Sequence, residues 1–369
     1  MRSSVQPSIQ AFCFRDLRTS LGTVRSGRSR VSVDRVSALT LVAESDIDSI
    51  TSIDLEVASA IFHGDRALDW AGLLKVAEKL TAPKGRVQRL QLDARSQPAV
   101  SASLSDGVEL ELSAHWEKRD LDRGLVIDTG LRVTAASSRS GYSQRLLETL
   151  LSVQDLLGIA FGGHYAVTEG QAQPLGVTER RPFWFLNLMG PSATPHADRG
   201  HAVFSLDDIG GVKGLGRWVH LQEHHPRATR SITSVNRHGG TSPEVHTLEL
   251  GAAIEYWVKH NRAQGRLWAR KVKRSSYVAV LARYVGKPFE TWVRDPERWS
   301  AIFWDHYNGL KHRPQYSYSR KELAFHAEAA HQLLTAGLLL RVAPSKMPAR
   351  RVFEDHRIAR LGQELIKLL

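Results

Sequence analysis

The hydrophobic residues of this chain change their spacing partway along, and that change constrains the fold more than any other feature. Between about residues 40 and 135 they alternate: Val87, Leu90 and Leu92, then Val108, Leu110 and Leu112, then Leu125, Ile127, Leu131 and Val133, with Gly, Ser, Asp and Pro between the runs. Successive side chains of a strand point to opposite faces, so these runs predict antiparallel strands with one buried face. Past Glu249 the period lengthens to about 3.6. Helices are expected there over 248–261, 268–284, 296–310, 321–340 and 354–368, with breaks at Gly286-Lys287-Pro288 and Arg313-Pro314. One earlier helix is expected over 142–160, where Leu146, Leu150, Val153 and Leu157 form a single stripe that Gly162-Gly163 can end. Aromatic strands are read over 181–188 and 201–206, and the glycines of 210–216 as a turn. The fold class is therefore α+β: a β-rich N-terminal domain followed by an all-α bundle.

At 369 residues, 42% of them hydrophobic and 24% charged, the chain has the composition of a folded globular protein with room for more than one core. Its longest apolar stretch, around 333–340, is far shorter than the roughly 18 residues of a membrane-spanning helix. A single cysteine, Cys13, can form no internal disulfide and no cysteine-rich metal site, which fits a reducing cytoplasm. The net charge of +12 is unevenly spread. Residues 1–35 carry seven Arg against two Asp, and residues 251–369 carry 22 basic against 10 acidic residues. A cationic surface attracts phosphate polyanions, so nucleic acid is a candidate partner of the helical part. The Arg/Ser-rich start, residues 1–38, reads as a flexible arm.

Three clusters bear on chemistry. His220-Leu221-Gln222-Glu223-His224 spells a zinc-peptidase motif, but the glycines before it and Pro226 after it argue against the long helix that such sites use, so no bound metal and no cofactor are expected. The run Gly210-Gly211-Val212-Lys213-Gly214-Leu215-Gly216 lacks the order of a phosphate-binding loop. The third cluster lies at the end of the helix over 296–310: His306, Tyr307, Asn308, Lys311, His312 and Arg313. Asn308 and His312 are four apart and share a helix face. An imidazole there can take the proton of a ribose 2′-OH while a neighbouring cation stabilises charge on the attacked phosphate, with no metal required.

The run 247–256 (Thr-Leu-Glu-Leu-Gly-Ala-Ala-Ile-Glu-Tyr), the Asn308…His312 element and the run 330–338 (Ala-His-Gln-Leu-Leu-Thr-Ala-Gly-Leu) together resemble the HEPN domain of ApeA-like proteins. Residues 147–162 and 204–209, with Trp218, resemble that family's N-terminal domain, so the likeness covers roughly residues 40–342. It implies a β-rich sensing domain over 39–246, a HEPN-type helical domain over 247–342 and a C-terminal tail helix over 343–369. It further implies a cytoplasmic anti-phage defence protein, dimeric, that responds to a phage-derived trigger and acts on RNA as a metal-independent endoribonuclease.

The family signature is an Arg followed by a polar residue, then a His four to six residues on. Asn308 matches the polar position and His312 the histidine, but Tyr307 stands where the arginine belongs. His312, Asn308, Arg313 and Lys311 are thus the catalytic candidates, with Arg313 the preferred substitute cation and Lys311 the second, and His306 and Tyr307 are candidate substrate contacts. The alternative is a catalytically inactive HEPN scaffold that binds nucleic acid or nucleotide, or dimerises.

Overall fold

The structure, a computed structural model, describes residues 10–13, 18–26, 29–37, 40–44, 57–65, 67–81, 89–121, 124–139, 141–167, 169–185, 201–270 and 275–369. The chain divides into two compact units, Met1–Gln154 with Ala166–Pro191, and Asp155–Tyr165 with Ser192–Leu369.

The first unit is built on strands. In chain order they are β1 (Gln10–Cys13), β2 (Arg18–Ser26), β3 (Ser29–Ser37), β4 (Thr40–Glu44), β5 (Val57–Asp65), β6 (Leu74–Thr81), β7 (Arg89–Ser96), β8 (Val100–Ser103), β9 (Glu109–Leu121), β10 (Gly124–Ala136), β11 (Glu169–Pro174) and β12 (Arg181–Phe185). Eight of them form one sheet in the order β1-β4-β12-β11-β5-β10-β9-β8, and β2–β3 and β6–β7 each form a separate pair. Every pairing is antiparallel. Burial follows the alternation in the sequence: Leu110 and Leu112 are buried between exposed Glu109 and Glu111, and Ala135 and Val133 are buried on β10 opposite them. A short helix, α1 (Leu68–Ala71), follows β5, and α2 (Ser143–Phe161) ends where Gly162 adopts a positive φ of 70°.

One expectation changes in this unit. The stretch read as an arm, 1–38, contains β1 and the β2–β3 pair, because Val31, Val33 and Val36 recur among Ser, Thr and Arg, a β-branched pattern too sparse in apolar residues to register as a core. Val87 and residues 186–188 lie outside the described residues.

The second unit is helical: α3 (Gly211–His224), α4 (Pro226–His238), α5 (Pro243–Ala263), α6 (Tyr277–Val285), α7 (Lys287–Val293), α8 (Pro296–His312), α9 (Arg320–Val342), α10 (Met347–Glu354) and α11 (His356–Leu368). Helices α5, α6, α8 and α9 each pack against the other three, around Ile254, Trp257, Leu281, Trp299, Phe303, Leu333 and Leu334, all buried. Helical structure thus begins near Gly211, not at 247, and residues 201–206 form no strand.

The glycines that suggested a turn start α3 instead. Gly210 and Gly211 take positive φ, and a Cβ at Gly214 would stand 2.0 Å from the Ile209 carbonyl oxygen, so the chain closes tightly there before Leu215, Trp218 and Val219 supply a buried stripe. Pro226 then ends α3 and opens α4, whose buried Ala228, Thr229, Ile232 and Thr233 recur at helical spacing. The region read as 268–284 resolves into a 3-10 turn, Leu267–Ala269, and α6. The tail, 343–369, holds two helices, not one.

Candidate functional site at the end of α8

Helix α8 begins where the Asp295 carboxylate accepts the Arg298 amide at 2.9 Å, with Pro296 in the first turn, a start that satisfies an otherwise orphaned donor. Trp299, Phe303, His306 and Tyr307 are buried along one side, which fixes the rotation of the helix. The helix closes at His312, and Arg313 is extended at φ −119°, ψ 101°. Lys311 and His312 therefore occupy the last turn, where the helix dipole favours positive charge.

The six residues named from the sequence divide into two groups. His312 is exposed and makes no hydrogen bond or ion pair among the described residues, and Asn308, half-buried, stands one turn before it. Asp305 lies on the same stripe, three residues before Asn308 and seven before His312. The Arg313 guanidinium folds back onto Asp305, with Nη2 donating to Oδ1 at 2.9 Å, so this cation is carried to the face of Asn308 and His312. Both partners of the pair are more than half exposed, and such a pair holds its geometry only weakly against a competing phosphate.

The second group faces the bundle. Tyr307 is buried, its hydroxyl donating to Glu255 Oε2 at 3.2 Å and accepting from Lys311 Nζ at 3.1 Å. Lys259 Nζ donates to the other oxygen of Glu255 at 2.5 Å. Burial pushes the Glu255 carboxyl up, but the hydrogen bonds and charges of Lys259, Tyr307 and Lys311 together outweigh it and hold the group below its ordinary value. The hydrogen bond to Tyr307 raises the Lys311 ammonium in turn. Lys311 is thus engaged by Tyr307 and Glu255, not turned toward His312.

His306 is also buried, with Nδ1 2.9 Å from the Tyr316 hydroxyl. The single proton of that hydroxyl goes to Asp305 Oδ2 at 3.1 Å, so His306 presents its own Nδ1–H. Burial lowers the His306 pKa, against the raising influence of Asp305 and Glu322. Reading His306 and Tyr307 as substrate contacts therefore has to be corrected, because both side chains are packed inward, while Asn308, His312 and Arg313 remain on the accessible side.

Asp305, Tyr316 and Glu255, which hold these groups in place, were not singled out from the sequence. Asp305 carried a signal, since a carboxylate at i−3 and i−7 from two site candidates shares their stripe. Tyr316 lies beyond the Arg313-Pro314 break, and no periodicity carries across it.

Two surface concavities involve other residues. One, of about 740 Å³, is lined by Trp292, Met347, Phe353 and Ile366 with Lys346 and Arg350. The other, of about 420 Å³, is lined by Arg227, Arg230, Ser231 and Glu249 among others. None of the six residues at the end of α8 lines either. The one set of three metal-capable side chains among the described residues is His220, Glu223 and His224 on α3. No helix among the described residues is long and apolar enough to cross a membrane. No protein-family model, curated protein or solved structure matches the chain.

Proposed function

We propose that the helical unit is a HEPN-type RNA-acting module, and that the chain is a cytoplasmic anti-phage defence protein that arrests growth by cutting RNA without a metal. The observation that supports this reading is the placement of Asn308, His312 and the Asp305-tethered Arg313 on one accessible stripe at the cationic end of α8. In this reading His312 takes the proton of a ribose 2′-OH. The 2′-oxygen attacks the adjacent phosphorus, the 5′-oxygen leaves and is protonated, and a 2′,3′-cyclic phosphate remains. Arg313 stabilises the charge that builds on the phosphoryl oxygens, and Asn308 orients the phosphate. Exchanging Asp305 for a phosphate releases Arg313 from an exposed pair, which costs at most about 1 kcal/mol.

A second reading is favoured by Tyr307. The position that carries arginine in the family signature here holds a buried neutral side chain bonded to Glu255, as suits a scaffold that binds RNA or a second copy and does not cut. Induced expression in bacterial cells separates the two. The nuclease reading expects slowed growth with fragmentation of cellular RNA, both relieved by His312→Ala. Growth arrest that persists unchanged in His312→Ala contradicts it.

A further inference from the structure

The glycines and the proline that flank H-x-x-E-H argue against a long helix, yet the structure places the motif on helix α3. Gly211–His224 is continuous for 14 residues, and its buried Leu215, Trp218, Val219 and Leu221 pin one side inward. His220, Glu223 and His224 are consequently exposed on the other side, at spacings of three and four that stack side chains one turn apart. Their ligand atoms all lie within 4.8 Å of one another, and the two imidazole rings are 3.9 Å apart between centroids.

A second observation concerns the tautomer. His224 Nδ1 lies 3.0 Å from the His220 carbonyl oxygen. A carbonyl only accepts, so Nδ1 carries the proton and Nε2 keeps its lone pair. A histidine whose second nitrogen donates to a backbone carbonyl is the usual form of a metal-ligating imidazole, because that bond fixes ring and tautomer before the ion arrives. The Glu223 carboxylate of the same cluster supplies the negative charge. Two imidazoles and one carboxylate suit a dication of borderline softness, and not magnesium or calcium, which prefer all-oxygen shells. The next residue, His225, is committed elsewhere: its Nδ1 meets the Tyr256 hydroxyl at 3.1 Å and its ring packs on His260.

We propose that the exposed face of α3 binds a divalent transition-metal ion of the zinc class through His220, Glu223 and His224 Nε2, with the remaining coordination position open to water. Three exposed ligands on one helix make a solvent-open site, suited to reversible occupancy.

The test is titration of untagged full-length protein with zinc chloride at pH 7.5, read by calorimetry and by equilibrium dialysis with elemental analysis. The expected result is one zinc per chain. His220→Ala and His224→Ala should each weaken binding about tenfold or more, and Glu223→Gln by less. Alanine is the best helix former, so circular dichroism should show the helix kept in both histidine variants. His356→Ala is the control, since His356 is an exposed histidine 3.5 Å from a single carboxylate, Asp355, and should leave binding unchanged. Absence of binding by the wild type, or one zinc per chain held as tightly after both histidine substitutions, overturns the proposal.

Discussion

Asp155 shows how much a single side chain can hold. Its buried carboxylate accepts Arg237 Nε at 2.6 Å and Gln222 Nε2 at 2.7 Å, joining the end of α2 to α4 and α3. Replacing it with alanine leaves a mostly buried guanidinium without its counter-charge, and Asp155→Ala should lower unfolding free energy in urea by about 3–5 kcal/mol. A loss under about 1 kcal/mol would mean that water already satisfies Arg237. At the same scale the two cations near His312 should behave differently. Arg313 is carried onto the Asn308 and His312 stripe, and Arg313→Ala should slow single-turnover RNA cleavage by on the order of 10²-fold. Lys311 is tied to Tyr307 and Glu255, so Lys311→Ala should leave that rate within about threefold. Equal losses from both substitutions would show that the ion pairs of the free protein do not decide which cation meets the phosphate.

Elements were legible where a stripe of large apolar residues marked them, and not where glycine or caps did. The stripe of α8 placed that helix to within two residues, yet α5 begins at Pro243, five residues before its first large apolar side chain suggested. The missed signal was the cap: Ser242 accepts the Val245 amide and Pro243 opens the helix. Likewise α7 was lost because Gly286-Lys287-Pro288 looked only like a break, although proline in a first turn starts helices as readily as it ends them. Glycine marks a close approach inside the bundle as well. A Cβ on Gly251 of α5 would stand 2.2 Å from the Tyr307 ring, so these helices meet where one has no side chain. Gly251→Ala should destabilise by about 1–3 kcal/mol through overpacking. Combined with Tyr307→Leu the loss should be less than additive, because the second change removes the ring that the new methyl strikes. Strict additivity in urea melts would contradict that contact.

For the whole molecule, the change of period foretold an α+β chain with its helices toward the C-terminal end. The start of those helices was misplaced, because the glycines that open α3 read as a turn and α4 is built on Ala, Thr and Ser with few large apolar side chains. The candidate site was half legible: spacing alone put Asn308 and His312 on one face, while the inward packing of His306 and Tyr307 depends on Glu255 and Tyr316, distant in sequence or beyond a proline. Buried histidines also give the helical unit a pH dependence. Burial, then His306, lowers the His326 pKa to about 4, and burial, then His331, does the same for His246. The folded state keeps these rings neutral while the unfolded chain takes up protons first, so their contribution is intact above about pH 6.5 and is lost progressively as pH falls toward 4. A tenfold difference in proton affinity is worth about 1.4 kcal/mol, which puts the His326 share on the order of 3 kcal/mol. The urea midpoint should fall between pH 7 and pH 5, and His326→Leu should flatten that fall. A midpoint constant over this range would mean that these rings are reached by water.

In the proposed function, His312 makes the end of α8 a metal-independent RNA-cleaving site. Purified full-length protein in excess over end-labelled RNA, with EDTA present, measures it directly as a single-turnover rate. The expected result is cleavage by the wild type that leaves 2′,3′-cyclic phosphate ends, and a rate lower by on the order of 10²-fold or more in His312→Ala with RNA binding retained. Equal rates in the two proteins, cleavage only when a divalent metal is restored, or a wild type that binds RNA and leaves it intact would contradict it.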